Sequence, residues 1–504
     1  MPGPPEPSAV RRPSGLTRRR LLAAGGSAVG AYALAATGLP LGARAGAAPV
    51  NSYEAVPPAA ALHLQSRPDL QIPGLAVDVN KGGTAPGLIF AGPFGLAGAQ
   101  NGAVIADDSG QPVWEHPVAG REIYNFQVQT YRGARALTWW EGSLSGGHGV
   151  GHYVIANQSY EPIAQVQAGN GLQADLHEFL ITAEGTALLT AYATVEVDLS
   201  SVGGPRSAAV ENAIFQEVDI ASGRVLLEWR SLDHIPLSES YWAVTPWPWD
   251  YVHLNSIDVD SDGQLLVSSR NTHTIYKIDR RSGEIIWRLG GKRSNFAIAP
   301  GAGFVWQHDP RRQADGTITV FDNQGAPHGG PQSRAIVLAV DEQRRTVSLR
   351  SQYLHPLALQ ASSLGSVQVL PNGNIFVGWG AEPFVSEFTA SGELIFDARL
   401  GSGYQSYRSF RLPWSATGEG QPSVAAAQAG ARATNIRVSW NGATQVARWA
   451  VLTAGSAGAL RPHATQARSG FETAIQIDTV PGRLAVLALD SRGRTLASSA
   501  TLEL

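Results

Sequence analysis

The chain of 504 residues contains no cysteine. That absence excludes disulfide staples, zinc–thiolate sites, thiol catalysis and a lipid-modified N-terminal cysteine. Charge is scarce too: 16% of residues are charged and the net charge is −3, which leaves no basic field to gather phosphates or anionic lipid heads. Nucleic acid is therefore not an expected partner. No Gly-x-Ser-x-Gly elbow, phosphate loop or dinucleotide fingerprint stands in a strand–helix context, so no cofactor is expected. Glycine is what the chain has in quantity. The 56 glycines and 31 prolines, in a chain too long for one ordinary core, predict more than one domain built from many short strands.

The N-terminus reads as a targeting segment. Arg11-Arg12 and Arg18-Arg19-Arg20 precede an apolar, Gly/Ala-rich stretch at 21–41, and 43–48 supplies small residues for cleavage. Thr17-Arg18-Arg19-Arg20-Leu21-Leu22 is similar to a twin-arginine signal, so residues 1–48 are set apart from the fold and an exported, secreted or envelope-associated protein is expected. The alternative is a retained N-terminal anchor, for which the interrupted apolar stretch is marginal against a span of about 20 residues. No later segment approaches transmembrane length, so stable membrane insertion after processing is not expected.

Beyond a lead-in at 49–79, a pattern recurs. A polar or histidine entry, an apolar strand, a glycine turn and a second apolar strand occur at 176–193, 252–278, 306–323 and 365–388. The turns are Ala183-Glu184-Gly185, Ser261-Asp262-Gly263, Ala314-Asp315-Gly316 and Pro371-Asn372-Gly373, where glycine accepts the positive φ of a tight hairpin. Second hairpins follow at 218–229, 275–287 and 385–396, and looser units lie at 87–114 and 123–166. About six four-stranded units predict an all-β, six-bladed propeller over 80–415, an array of sandwiches being the alternative. Residues 416–433, rich in Ala, Gly, Gln and Ser, read as a linker, and 434–504 as a small fibronectin- or immunoglobulin-like sandwich with Trp440 and Trp449 in its core.

Three histidines share a register. His177, His253 and His308 stand eight, ten and eight residues before Gly185, Gly263 and Gly316, at the entry of successive units, and equivalent propeller positions face one axis. Arg270 lies on the return strand of the His253 unit, where a guanidinium can hold an anionic oxygen or pair with a neighbouring acid. Asp309 is not assigned as partner of His308, because adjacent strand residues face opposite sides. Asp258, Asp260 and Asp262 imitate a calcium loop, but Ser269 stands where its glutamate belongs, and the run reads as a solvated turn.

Together these residues resemble a known family. The blocks Asp250-Tyr251-Val252-His253-Leu254-Asn255-Ser256-Ile257, Ser269-Arg270-Asn271-Thr272, Gly283-Glu284-Ile285-Ile286-Trp287-Arg288-Leu289-Gly290-Gly291 and Gln307-His308-Asp309 through Phe321-Asp322-Asn323 look like arylsulfotransferases of the actinobacterial and fungal branch. The resemblance implies a six-bladed propeller that moves a sulfuryl group from one phenol ester to another phenol without PAPS, through a sulfated histidine. It makes His308 the nucleophile, and His253, Arg270 and His177 the groups that hold sulfate oxygens. The implied partners are small: an aryl sulfate donor and a phenolic acceptor. Trp242, Trp247, Trp249, Trp306 and Trp379 are candidates to stack the aryl ring or to fill the core. Two rivals stand beside this reading: a propeller that binds a surface polymer or protein without catalysis, and a hydrolase holding a metal with the three histidines. Oligomeric state is not legible in the sequence.

Overall fold

The computed structural model describes residues 63–71, 74–95, 100–325, 328–401 and 403–504. The segment at 1–48 expected to be a signal, and about half of the lead-in, lie outside the described residues. Each hairpin expected at a glycine forms there. Gly185, Gly263, Gly316 and Gly373 hold φ between 79° and 86°, a region in which a Cβ is costly, and each joins two antiparallel strands whose buried faces carry Val, Ile, Leu and Phe.

Six sheets of four or five strands follow one another along the chain. The second runs through Glu122–Tyr131, Ala134–Ser145, His148–Ala156 and Pro162–Val166. The third uses Phe179–Ile181, Thr186–Val197, Ala208–Asp219 and Val225–Arg230, and the fourth Leu254–Val259, Leu265–Ser269, Thr274–Ile278 and Ile285–Gly290. His308–Arg312, Ile318–Asp322, Arg334–Asp341 and Thr346–Tyr353 make the fifth, which Ala297–Ile298 extends. The sixth holds Ser366–Val369, Ile375–Gly378, Phe384–Phe388 and Leu394–Arg399, and gains Ala76–Asn80 from the end of the lead-in. Leu88–Gly95, Gly102–Ala106 and Pro112–Pro117 form the first sheet, whose missing inner strand comes from far along the chain: Tyr404–Leu412 pairs with Leu88–Gly95, Phe410 opposite Phe90.

The core is divided into seams between neighbouring sheets. Phe90, Trp114, Phe126 and Trp139 close the first against the second, and Phe215, Trp229, Ile257 and Tyr276 the third against the fourth. A further seam brings Ile89 and Ala106 of the first sheet against Phe376 and Phe396 of the sixth.

Two further sheets, of three and five strands, make the C-terminal part, with Trp440 and Trp449 buried in its core as expected. The linker expected at 416–433 is different. Ser423–Gln428 is a strand on Thr434–Ser439, paired without a break from Ser423 opposite Ser439 to Gln428 opposite Thr434. Asn441 ties this unit to the first sheet, donating from Nδ2 to Glu115 O at 2.9 Å and accepting Glu115 N–H at 3.0 Å.

Beneath the inner-strand entries lies a buried ionic plug. Glu178 accepts from Arg311 Nη2 at 2.6 Å and from both terminal nitrogens of Arg408 at 3.1 and 3.2 Å, while Arg408 also pairs with Asp309 at 3.2 Å and donates to Asn125 and the Asn255 carbonyl. Residues of five sheets meet in this network, and its two glutamate and aspartate acids answer two arginines, which is the condition for burying charge.

Candidate functional site

The loops entering the inner strands of sheets three to five carry the expected histidines. His308 is the first residue of its strand, His253 precedes Leu254–Val259 by one residue and His177 precedes Phe179–Ile181 by two. His308 is buried and its Nδ1 lies 2.7 Å from Asn323 Oδ1. The amide nitrogen of Asn323 donates to Ala361 O and Leu364 O, both at 3.0 Å, so its oxygen faces the ring and Nδ1 must be the donor. The lone pair is thereby left on Nε2, where the Leu364 N–H makes only a long contact of 3.3 Å. Burial, then the positive charge of Arg270 and the presence of His253 and His177, push the His308 pKa well below its usual value. The ring is neutral at pH 7 and its free nitrogen is nucleophilic.

Arg270 leaves the strand Leu265–Ser269 and turns toward the same space. Nη1 donates to Asn271 Oδ1 at 3.1 Å and Nη2 to Ser362 O at 3.3 Å, the guanidinium lies 5.0 Å over the Trp306 ring, and Nε has no partner. The carboxylate partner considered for it is absent from these hydrogen bonds. Burial lowers its pKa to about 10, which leaves it charged with a donor unanswered.

Two aspartates orient the other histidines. His253 Nδ1 lies 2.5 Å from Asp250 Oδ2, and His177 Nδ1 lies 2.6 Å from Asp175 Oδ2. Burial brings the His253 pKa down to about 4, against the pull of Asp250. Burial would raise Asp250 and Asp175, but the adjacent imidazoles outweigh it and hold both below the usual carboxylate range. The rings of His177 and His253 meet edge to face at 4.6 Å between centroids, and Tyr407 sits 5.8 Å from His177, its hydroxyl donating to the His177 and Asn255 carbonyls.

The candidate tryptophans divide. Trp249 and Trp379 are core, and Trp306 is buried but flanks Arg270, while Trp242 and Trp247 are 41% and 59% exposed. Trp306, Trp242, His273, Tyr241 and His328 form one aromatic cluster, with Tyr241 stacked on His273 at 4.2 Å and His273 edge-on to Trp306 at 4.3 Å. Asp309 pairs with Arg311 and Arg408 rather than with His308, and the solvated turn expected at 258–262 is partly buried: Asp260 pairs with Lys277 at 3.0 Å and Arg312 at 2.9 Å. Sequence reasoning missed His148, Asp175 and Asp250. The signal for the acids was local, an aspartate two or three residues before each histidine.

Three histidines beside an arginine with a spare N–H, carried at the strand entries of three successive sheets, are what the fold gathers at this site. A family model described as Arylsulfotransferase (ASST) matches residues 127–401, more than half of the chain, and the protein belongs to that family. A search of curated proteins finds no match. Among solved structures, the chain is similar to a protein of unknown function from Bacteroides caccae at 12% identity, over 64% of this chain and 98% of that one, with a TM-score of 0.40. A catalytically inactive virginiamycin B lyase from Staphylococcus aureus aligns at 9% identity over 73% and 97%, TM-score 0.34, and AztD from Citrobacter koseri at 10% over 65% and 98%, TM-score 0.33.

Proposed function

We propose that this arylsulfotransferase works without PAPS, through a sulfohistidine formed on His308, at the mouth of a closed six-bladed propeller. Closure is supported by the neighbour relations of the inner strands: each touches the next, and the sixth touches Tyr404–Leu412 of the first. The chemistry rests above all on one observation, the Asn323 amide that takes the Nδ1 proton of a neutral, buried His308 and leaves the lone pair on Nε2.

Nε2 attacks the sulfur of an aryl sulfate. An N–S bond forms, the S–O bond to the aryl oxygen breaks and the phenolate leaves. The sulfuryl oxygens lie among Arg270, His253 and His177, with Arg270 donating its spare Nε–H, so that charge on those oxygens is stabilised in the transition state. An acceptor phenol then replaces the first, its oxygen forming a bond to sulfur as the N–S bond breaks. The proton lost by the acceptor balances the one taken up by the leaving phenolate, both exchanging with solvent. Trp306 and Trp242, in the cluster around Arg270, offer aromatic surface to either ring.

The test is transfer from 4-nitrophenyl sulfate to phenol by the purified protein without PAPS or added metal. Nitrophenolate release that depends on phenol and disappears in His308→Ala is the expected result. Activity that survives in His308→Ala refutes the nucleophile, and no release with several phenols refutes the reaction.

A further inference from the structure

His148 begins the third strand of the second sheet, inside the looser unit at 123–166 and outside the family blocks. It is 8% exposed, and neither ring nitrogen has a hydrogen-bond partner. Its Nε2 lies 3.4 Å from Asp250 Oδ2, the oxygen that also faces His253 Nδ1. The ligand atoms of His148, Asp250 and His253 all fall within 4.8 Å of one another, and the two rings are 5.5 Å apart.

Two imidazoles and one carboxylate converging on one point are the donor set of a facial metal site. Metal–ligand distances of about 2.0–2.2 Å at a tetrahedral angle place neighbouring donors roughly 3.3 Å apart. The His148–Asp250 separation already has that value. The His253–Asp250 separation is that of a pair sharing a proton, and an ion taking the proton's place would open it by about 0.8 Å. His148 also neighbours Asp175 and His177, but Asp175 already accepts from Gly149 N, His177 N, His177 Nδ1 and Thr190 Oγ1, which leaves it little to give. Asp250 accepts side-chain-directed bonds from His253 alone, and its set is the half-buried one that solvent can reach.

We propose that His148, Asp250 and His253 bind one divalent first-row transition ion, and that this ion and the aryl sulfate exclude one another. The second part rests on the transferase reading, in which the His253 ring lines the sulfuryl oxygens: opening the His253–Asp250 pair by about 0.8 Å to admit the ion shifts that ring from the place it takes beside them. The ion would thus act as a brake on transfer rather than as its catalyst.

Zinc titrated calorimetrically into the metal-stripped protein is expected to bind one ion per chain, with affinity at least tenfold weaker in His148→Gln and unchanged in His308→Ala. Cobalt(II) in the same site gives visible absorption that His148→Gln abolishes. Thermal melting of His148→Gln separates loss of a ligand from loss of fold, and Asp250→Asn supplies a second variant should the first melt early. Absence of binding, or binding indifferent to both variants, overturns the site. In turnover of 4-nitrophenyl sulfate, zinc is expected to raise the donor KM with kcat unchanged, and to do so at least tenfold less effectively in His148→Gln. Zinc that binds without affecting turnover overturns the exclusion and leaves the site standing. A protein that binds zinc at His148 but transfers no sulfuryl group separates failure of the transferase reading from failure of the metal site.

Discussion

At the scale of the residue, reactivity here is a question of which nitrogen carries a proton. Asn323 acts by holding His308 in one tautomer, so Asn323→Leu is expected to lower kcat by about 100-fold with a small change in donor KM, read from the nitrophenolate burst. Protonation matters as well. The His308 pKa is depressed in the folded protein and ordinary, near 6.5, in the unfolded one, so below pH 6.5 the unfolded chain binds the extra proton and stability falls as pH drops. That loss is about 1.4 kcal/mol per pH unit for this group, until the folded pKa is reached. Urea unfolding at pH 7 and pH 5 is expected to show a smaller acid loss in His308→Asn than in the wild type, while the transfer rate of the wild type shows no inflection at pH 6.5. His177, His253 and His308 could be singled out in the sequence because equivalent positions in repeated units share a register, and Arg270 because it lies on the return strand of the His253 hairpin. His148 could not, since it lies on a third strand rather than at an entry, and only packing carries it to Asp250.

Elements set how firmly those residues are held. Turn glycines differ in what surrounds them: a Cβ at Gly263 would meet open space at φ 80°, whereas one at Gly365, φ 109°, would lie 2.4 Å from the Phe321 ring. Gly263→Ala is expected to cost about 1–2 kcal/mol from backbone strain alone. Gly365→Ala adds overpacking of about 1–3 kcal/mol and displaces Leu364 from His308, so it should lower both the unfolding midpoint and the transfer rate. The overpacking at Gly365 is refuted if the two variants melt alike. Hairpins of this kind were visible from the turn residues. The strand Ser423–Gln428 was not, because a run of Ala, Gly and Gln has the composition of a linker and becomes a strand only where a partner edge is waiting.

For the whole molecule, stability depends on contacts between parts distant in sequence. The ionic plug joins residues up to 283 positions apart, and Glu178 faces both Arg311 and Arg408 there. Glu178→Gln leaves two buried cations short of one charge and is expected to cost about 3–5 kcal/mol, measured by chemical denaturation. The inner strand of the first sheet enters from Tyr404–Leu412, so a chain ended after Leu400 should not fold, which circular dichroism and gel filtration would reveal. A soluble, cooperatively melting product would refute the role of that strand in closing the fold.

Local pattern by itself determined the strands, their turns and the three histidines in register, because period-two burial and positive-φ glycines act over a few residues. The burial of the C-terminal tryptophans was legible for the same reason. Tertiary structure alone decided that Asn323 answers His308, that Asp309 belongs to the plug instead, that Tyr404–Leu412 completes the first sheet and that His148 meets Asp250. These are pairings between units, and no short-range rule of propensity or spacing specifies which of many compatible side chains will face another once the sheets have packed.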